Sequence, residues 1–533
     1  MATSATPRAR LPGTERPGAP PTTDPANSAD GDGGTAGPDP RLPRLSGWVV
    51  VTAAVVSAVL VATADRYGYH RDELYFLEAG RHLAWGYPDM PPLVPALARV
   101  LSAIAPGSLV VLRLPSALAG GVVVVMTGVV VRELGGGRPA QLLAAVTTGT
   151  SALLLGSEHY LNTSSVDLVL TTVVLWLFTR LLRTGDLRLW IPIGIATAVA
   201  LQASDLTAFV VAAVVVALAT GGRHRLLLSP WALVAAVIVV VTWAPYLAWQ
   251  ADHGWPELAV ASAIARGGSG TSTSRWLLLP SQLVLVSPYL APVWIAGLVR
   301  LLGSPRLRWC RPIGVAYLLL AVVYLVTGGK SYYLGVVLPV LVAAGAQPVV
   351  GWLGRGRRGL RKALLVIALA LTLPSTALVM LPVLPVATLH DTPVVTLNYD
   401  EGETVGWPTY VDQIAHVVRR LSPEQRRSVA ILTDNYGEAG AVDRFGPGLG
   451  LPASYSGQDG YWYWGPPPAR ATTFVVVGMR ESTLDRLFST CRGVGRLDNG
   501  LGVDDQEQGV PLRVCTGLRS PWARTWKGLR VLG

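Results

Sequence analysis

The chain has 533 residues, of which 51% are hydrophobic and only 14% charged. Soluble domains carry about 25% charged residues, so this composition excludes an ordinary soluble fold. The net charge of +11 invites a nucleic-acid partner, but the arginines are dispersed among short loops rather than gathered on one face, and that partner is excluded too.

Residues 1–46 are rich in Pro, Gly, Ala, Thr and Asp and lack the short apolar core of a signal peptide, so they read as a disordered cytoplasmic tail. Apolar runs then recur. They predict about eleven membrane helices near Trp48–Thr63, Leu109–Val131, Ala140–Leu155, Val166–Leu182, Trp190–Gln202, Leu206–Thr220, Pro230–Trp249, Trp276–Leu302, Pro312–Thr327, Tyr332–Trp352 and Ala363–Leu384. Arginine-bearing loops alternate with polar-aromatic ones. Arg132 and Arg138, Arg180 to Arg188, Arg223 and Arg225, Arg306 to Arg311 and Arg355 to Lys362 fall on one side, which places the N-terminus in the cytoplasm. An odd number of spans places everything after Leu384 outside.

The expected organisation is a polytopic α-helical membrane domain over 47–385 and an extracytoplasmic α/β domain over 386–533. In the latter, Val429–Thr433 and Thr473–Val477 read as buried strands, and Tyr410–Leu421 and Ser482–Ser489 as amphipathic helices. The segment NYGEAGAVDRFG follows the first strand but lacks the GxGxxG spacing of a nucleotide turn. Cys491 and Cys515 share this domain and an oxidising compartment, so a disulfide worth about 3 kcal/mol is expected, with Cys310 left reduced.

The polar outer loops hold the candidate chemistry. The first, Asp65–Val94, is long enough for a helix of its own near Glu73–Trp85, with Asp72 and Glu73 at its start. Asp72 reads as a general base or as the helix cap. Glu73 reads as a second acid or as the partner of Arg71 or Arg81. Asp89 sits in the rigid turn YPDMPPL, and Asp167 opens an apolar run as a second outer-face carboxylate. Lys330, followed by Tyr332 and Tyr333 in GGKSYYL, reads as a phosphate contact or as a snorkelling lysine. In WQADHGWP, His253 and Trp255 belong to an interfacial aromatic belt or to a pocket wall.

These motifs resemble the bacterial family-39 glycosyltransferases of the GT-C superfamily, relatives of the protein O-mannosyltransferases and of the aminoarabinose transferase. The resemblance rests on RDELYFLEAGRHLAWGYPDMPPL, LNTSSVD, WQADHGWP, GGKSYYLGVVLP and NYGEAGAVDRFG, in the family's order. It implies a polyprenyl-phosphate sugar donor, chemistry at the outer face of the plasma membrane, and a protein, lipid or glycan acceptor, with membrane lipids around the chain. It makes Asp72 the catalytic base, with Glu73 beside it, and matches Asp167 to the family's second-loop aspartate. It matches Lys330 and Tyr333 to the family's late motif near the lipid phosphate; Arg71, Asp89, Tyr332 and Trp255 are the other candidate substrate contacts. The resemblance fixes no cofactor; a divalent metal ion at Asp89 and His253 is the one it admits, although Met90 stands where relatives carry a lysine. Two other classes fit a chain of this kind: a non-catalytic transporter and an accessory protein of cell-envelope assembly. The clustering of charge at one face, without paired halves, argues against the transporter.

Overall fold

The computed structural model describes Met1 and residues 42–272 and 274–533; the amino-terminal tail lies outside these residues. Six helices are long and apolar enough to cross a membrane: Leu109–Glu133, Thr163–Thr184, Pro230–Asp252, Pro305–Thr327, Ser331–Leu353 and Arg358–Met380. The number rises to eight if two bent pairs each count as one span. The remaining expected spans, Gly47–Thr63, Trp190–Ala200 and Leu206–Thr220, are apolar helices of 17, 11 and 15 residues. About twenty residues are needed to cross a bilayer upright, so by length and composition six to eight spans stand among the described residues, where about eleven are expected.

The bent pairs have local causes. The run expected as one span over Trp276–Leu302 breaks by 112° between Arg275–Val286 and Ala291–Gly303. Pro288 lies in the break, where its missing N–H and its ring end the first helix. The run at Ala140–Leu155 bends by 55° before Ala152, where Ser151 caps the next helix through Leu154 N–H. At the centre, Ala291–Gly303 packs against Leu338–Leu353. A Cβ on Gly297 or Gly345 would overlap the facing backbone, so these two glycines let the helices touch main chain to main chain.

The first long loop carries a helix at Arg71–Ala79, which begins two residues before the expected start and ends six residues before the expected finish. At the early stop the Tyr87 hydroxyl is placed to donate to the carbonyls of Ala79 (2.9 Å), which also accepts from His82 N–H, and His82 (3.2 Å).

The C-terminal part forms a five-stranded sheet in the order β2-β1-β3-β5-β4, with β1 Val429–Thr433, β2 Ser454–Ser456, β3 Thr473–Val477, β4 Phe488–Arg496 and β5 Pro511–Leu518. β1 pairs in parallel with β2 and β3, while β5 is antiparallel to β3 and β4. Cys491 and Cys515 face each other across β4 and β5 and form the expected disulfide, while Cys310 is free and buried.

Alternation along the strands divides two cores. Ala430, Leu432, Phe474 and Val476 pack on one side with Trp522 and Trp526. Ile431, Val475 and Val477 pack on the other, in one cluster with Trp407, Ile414, Leu74, Tyr75 and Phe76. The first long loop and the C-terminal sheet therefore share a hydrophobic core. The glycines of NYGEAGAVDRFG serve this docking. In the Tyr436–Phe445 helix, a Cβ at Gly440 would stand 2.9–3.1 Å from atoms of Leu74, so the glycine lets this helix lie against Arg71–Ala79.

Candidate functional site

The Arg71–Ala79 helix is capped by His70 and not by Asp72. His70 Nδ1 accepts from Asp72 N–H (3.2 Å), and Glu73 Oε2 accepts from His70 N–H (2.9 Å), a reciprocal box. Glu73 is fully buried and paired with Arg113, which is 1% exposed, rather than with Arg71 or Arg81. Arg113 donates to both Glu73 oxygens (2.9 and 2.7 Å) and to the carbonyls of Ala64 (2.6 Å) and Gly68 (2.7 Å). Leu161 N–H adds a bond of 3.0 Å to Glu73 Oε1. Burial pushes the Glu73 carboxyl up, but the guanidinium and the N–H donors outweigh it and hold the group below the usual carboxylate range. A carboxylate so enclosed positions the loop, where an open acid beside Asp72 was expected.

Asp72, one residue earlier, is 35% exposed at its side chain. Tyr436 Oη, from the C-terminal part, donates to Asp72 Oδ1 at 2.8 Å. Asp72 Oδ2 lies 3.8 Å from His70 Nδ1, while His70 Nε2 faces Asp400 Oδ1 at 3.6 Å. Tyr160 Oη donates to Asp400 Oδ2 at 3.2 Å. Burial alone would raise the Asp400 carboxyl, yet His70, Lys330 and Tyr160 together hold it below the usual range. Tyr332 lies within electrostatic reach of both Asp72 and Asp400. The late motif is thus brought to the first loop: Lys330 acts on Asp400 and sits 5.8 Å from the Tyr332 ring centroid. Tyr333 packs edge-on against Tyr332.

Other expected residues stand elsewhere. The Arg71 guanidinium meets Glu403 Oε2 (3.2 Å), Tyr399 Oη (3.3 Å) and Gln506, so it ties the loop to the C-terminal part rather than waiting for an anion. Asp167 is buried, and its Oδ1 accepts from Thr171 (3.0 Å) and Thr207 (2.8 Å); it fastens two apolar helices and is not a second open carboxylate. Trp255 is 45% exposed at the turn that opens the Pro256–Ala265 helix. His253 is exposed and stacks on Trp249 at 4.0 Å. From this segment it is Gln250 that reaches the first loop, donating to the Tyr87 carbonyl at 2.9 Å.

Asp89 Oδ1 accepts from Tyr75 Oη at 2.9 Å, and the same Tyr75 oxygen accepts from Gly460 N–H at 3.0 Å. Among the described residues no three His, Cys, Asp or Glu side chains are grouped so as to hold a metal ion. The Asp89 and His253 pairing therefore does not fit a resident divalent ion.

Sequence reasoning missed five members of the site. Arg113 stands alone in the apolar run LVVLRLPSAL, and a lone intramembrane cation should have prompted a search for its carboxylate. His70, Asp400 and Tyr436 gave no signal, because distant segments bring them together. Asp459 is 2% exposed and adopts φ +44°, a left-handed conformation that L residues seldom take and that Asp and Asn tolerate best. Burial, with the Asp72 charge adding to it, pushes its carboxyl up to about 7.

Two outcomes follow from these buried charges. Arg113→Met leaves Glu73 buried without its cation and should cost about 3–5 kcal/mol, while adding Glu73→Gln should recover a large part. Denaturation of the solubilised variants checks this, and a double variant no better than the single would remove the pair from its structural role. Folded Asp459 keeps its proton to a higher pH than the unfolded carboxyl at about 4. Its stabilisation is complete below that value and lost as pH rises through about 7. The melting temperature should fall between pH 5 and pH 8, and Asp459→Asn, which suits the same backbone, should reduce the fall. An unchanged slope in that variant would place the effect elsewhere.

Residues 89–249 match the family model described as dolichyl-phosphate-mannose-protein mannosyltransferase. That stretch begins at Asp89 and so does not include Asp72. No curated protein sequence matches the chain. Among solved structures, the chain matches ArnT from Cupriavidus metallidurans bound to undecaprenyl phosphate at 16% identity, over 88% of this chain and 98% of that one, with a TM-score of 0.54. The apo state of the same protein matches with the same values. A looser match, at a TM-score of 0.45 and 16% identity, is to the arabinofuranosyltransferase AftD from Mycobacteria, over 90% of this chain and 40% of that one. At this identity the ArnT match establishes the fold. The chain is thus similar to the dolichyl-phosphate-mannose-protein mannosyltransferases over residues 89–249 and to ArnT in fold.

Proposed function

We propose that the chain transfers a sugar from a polyprenyl-phosphate donor to a hydroxyl acceptor at the outer face of the membrane, with inversion and with Asp72 as the general base. The observation that carries this reading is the contrast between two adjacent carboxylates. Glu73 is sealed under Arg113, whereas Asp72 is partly open, oriented by Tyr436 and, among the described residues, without a guanidinium partner. In the proposed step, Asp72 takes the proton of the acceptor hydroxyl. The acceptor oxygen bonds to the anomeric carbon as the bond from that carbon to the phosphate oxygen breaks, and the lipid phosphate leaves with the electron pair. Lys330 supplies positive charge to that phosphate, with Tyr332 as a hydrogen-bond donor beside it. The phosphate itself is the leaving group, so no nucleotide is needed. The undecaprenyl phosphate bound to ArnT supports a donor of this chemistry.

Because His70 caps the helix, Asp72→Asn should leave folding intact while turnover falls by about 10²–10⁴-fold. Lys330→Ala should raise KM at least as much as it lowers kcat, since a phosphate contact exists already in the ground state. Both are read by kinetics with a polyprenyl-phosphate sugar, and near-normal turnover in Asp72→Asn would end the assignment.

The orientation belongs to the same proposal: N-terminus cytoplasmic, C-terminal part outside, from the loop charges. Asp485 is exposed in the C-terminal part, so a cysteine placed there should react with a membrane-impermeant thiol reagent on intact cells. Reaction only after lysis would reverse the topology.

A further inference from the structure

A cavity of about 320 Å³ opens where the end of the first-loop helix meets the C-terminal part. It takes no part in the chemistry proposed for Asp72. Its walls include Glu78, Arg81, His82, Asp443, Tyr461 and Trp464. Its size lies at the small end of the roughly 300–1,000 Å³ of ligand sites.

The walls are built rather than incidental. His82 stacks on the Trp464 indole at 4.6 Å, and Tyr461 meets it edge-on at 4.7 Å, so the large ring is fixed. Asp443 is held by Ser454 N–H (2.9 Å), Ser454 Oγ (2.9 Å) and Tyr461 Oη (3.0 Å). Glu78 accepts one N–H of Arg81 at 3.0 Å, and the Arg81 side chain is 56% exposed, so other donors of its guanidinium point to solvent.

This chemistry selects a ligand. Two carboxyls against one guanidinium leave no excess of positive charge for a phosphate. Four ionisable side chains suit no lipid tail. A peptide strand would need the edge strand β2, but the Ser454 N–H is already spent on Asp443. A neutral sugar ring fits: its C–H face lies on aromatic rings, and its hydroxyls, each donor and acceptor, meet carboxylates and a guanidinium. The cavity also lies near the proposed base. Glu78 is six residues after Asp72 on one helix, which is about 9 Å along its axis. A short oligosaccharide bridges such a distance.

We propose that this cavity is a carbohydrate subsite that holds a distal ring of a glycan acceptor while the acceptor hydroxyl stands at Asp72. Its second half rests on the transfer reaction proposed above; the sugar binding does not.

The test uses the full chain in detergent on an array of short neutral oligosaccharides, with the retained sugar then titrated by tryptophan fluorescence. The parent should bind saturably. Trp464→Ala should bind at least about tenfold more weakly, a loss of about 1.4 kcal/mol. Arg81→Ala, at an exposed rim position, should weaken binding several-fold and decides the matter if Trp464→Ala does not fold. Asp72→Asn should bind like the parent, so loss of turnover and loss of binding are read separately. An array that retains no sugar, equal retention by Trp464→Ala and Arg81→Ala, or preferential retention of peptides or of anionic-lipid vesicles would each overturn the subsite.

Discussion

A buried ion pair fixes the geometry on which the rest of the candidate site depends. Taking Glu73 and Arg113 out of water costs several kcal/mol per ion, and attraction alone seldom repays it. Here the repayment comes from saturation. The guanidinium meets two carboxylate oxygens and two backbone carbonyls, and the carboxylate meets two backbone N–H groups as well. The carbonyls belong to the segment leaving the first helix, and one N–H to a second loop. One arginine in the membrane domain thus pins two loops and the start of a helix to a single point. Such a node resists small adjustments, because releasing any member leaves a charge without a partner in a dry interior.

The node makes the difference between neighbouring residues. Consecutive positions on a helix are about 100° apart, so pinning Glu73 inward turns Asp72 toward the opening. The cap is His70, which leaves the Asp72 side chain unspent. Its remaining partner, Tyr436, comes from the far end of the chain and is backed by Tyr75 at 4.9 Å and by Arg71 at 4.8 Å. The C-terminal part is therefore a wall of the site rather than an appendage.

Sequence and structure agree where the signal is local. The strands Val429–Thr433 and Thr473–Val477 were legible to the residue, because short apolar runs bounded by polar turns have few alternatives. Asp72 and Glu73 at a helix start were legible for the same reason. What failed was anything set by distant partners. The end of that helix meets the Tyr87 hydroxyl, and its cap is an imidazole, a side chain that seldom caps. Glu73 was assigned a role by its neighbour in sequence, yet its fate was decided by Arg113, 40 residues away. Asp167 looked open because it begins an apolar run, but two threonines, one on the neighbouring apolar helix, enclose it.

The core shared by Leu74, Tyr75, Phe76 and Trp407 has a consequence for how the molecule is made. Tyr75 leaves the ribosome about 330 residues before Trp407. At about 5–20 residues per second, that interval is roughly 15–65 s. Throughout it the first loop holds apolar side chains whose covering surface does not yet exist. Some helices made in between can settle early, since Leu109–Glu133 packs on Arg138–Gly149 beside it in sequence, whereas Leu338–Leu353 must reach back to both. The lobe built on that core is assembled last, by closing the two ends of the chain on each other, and that closure carries the entropy cost of the longest loop in the molecule.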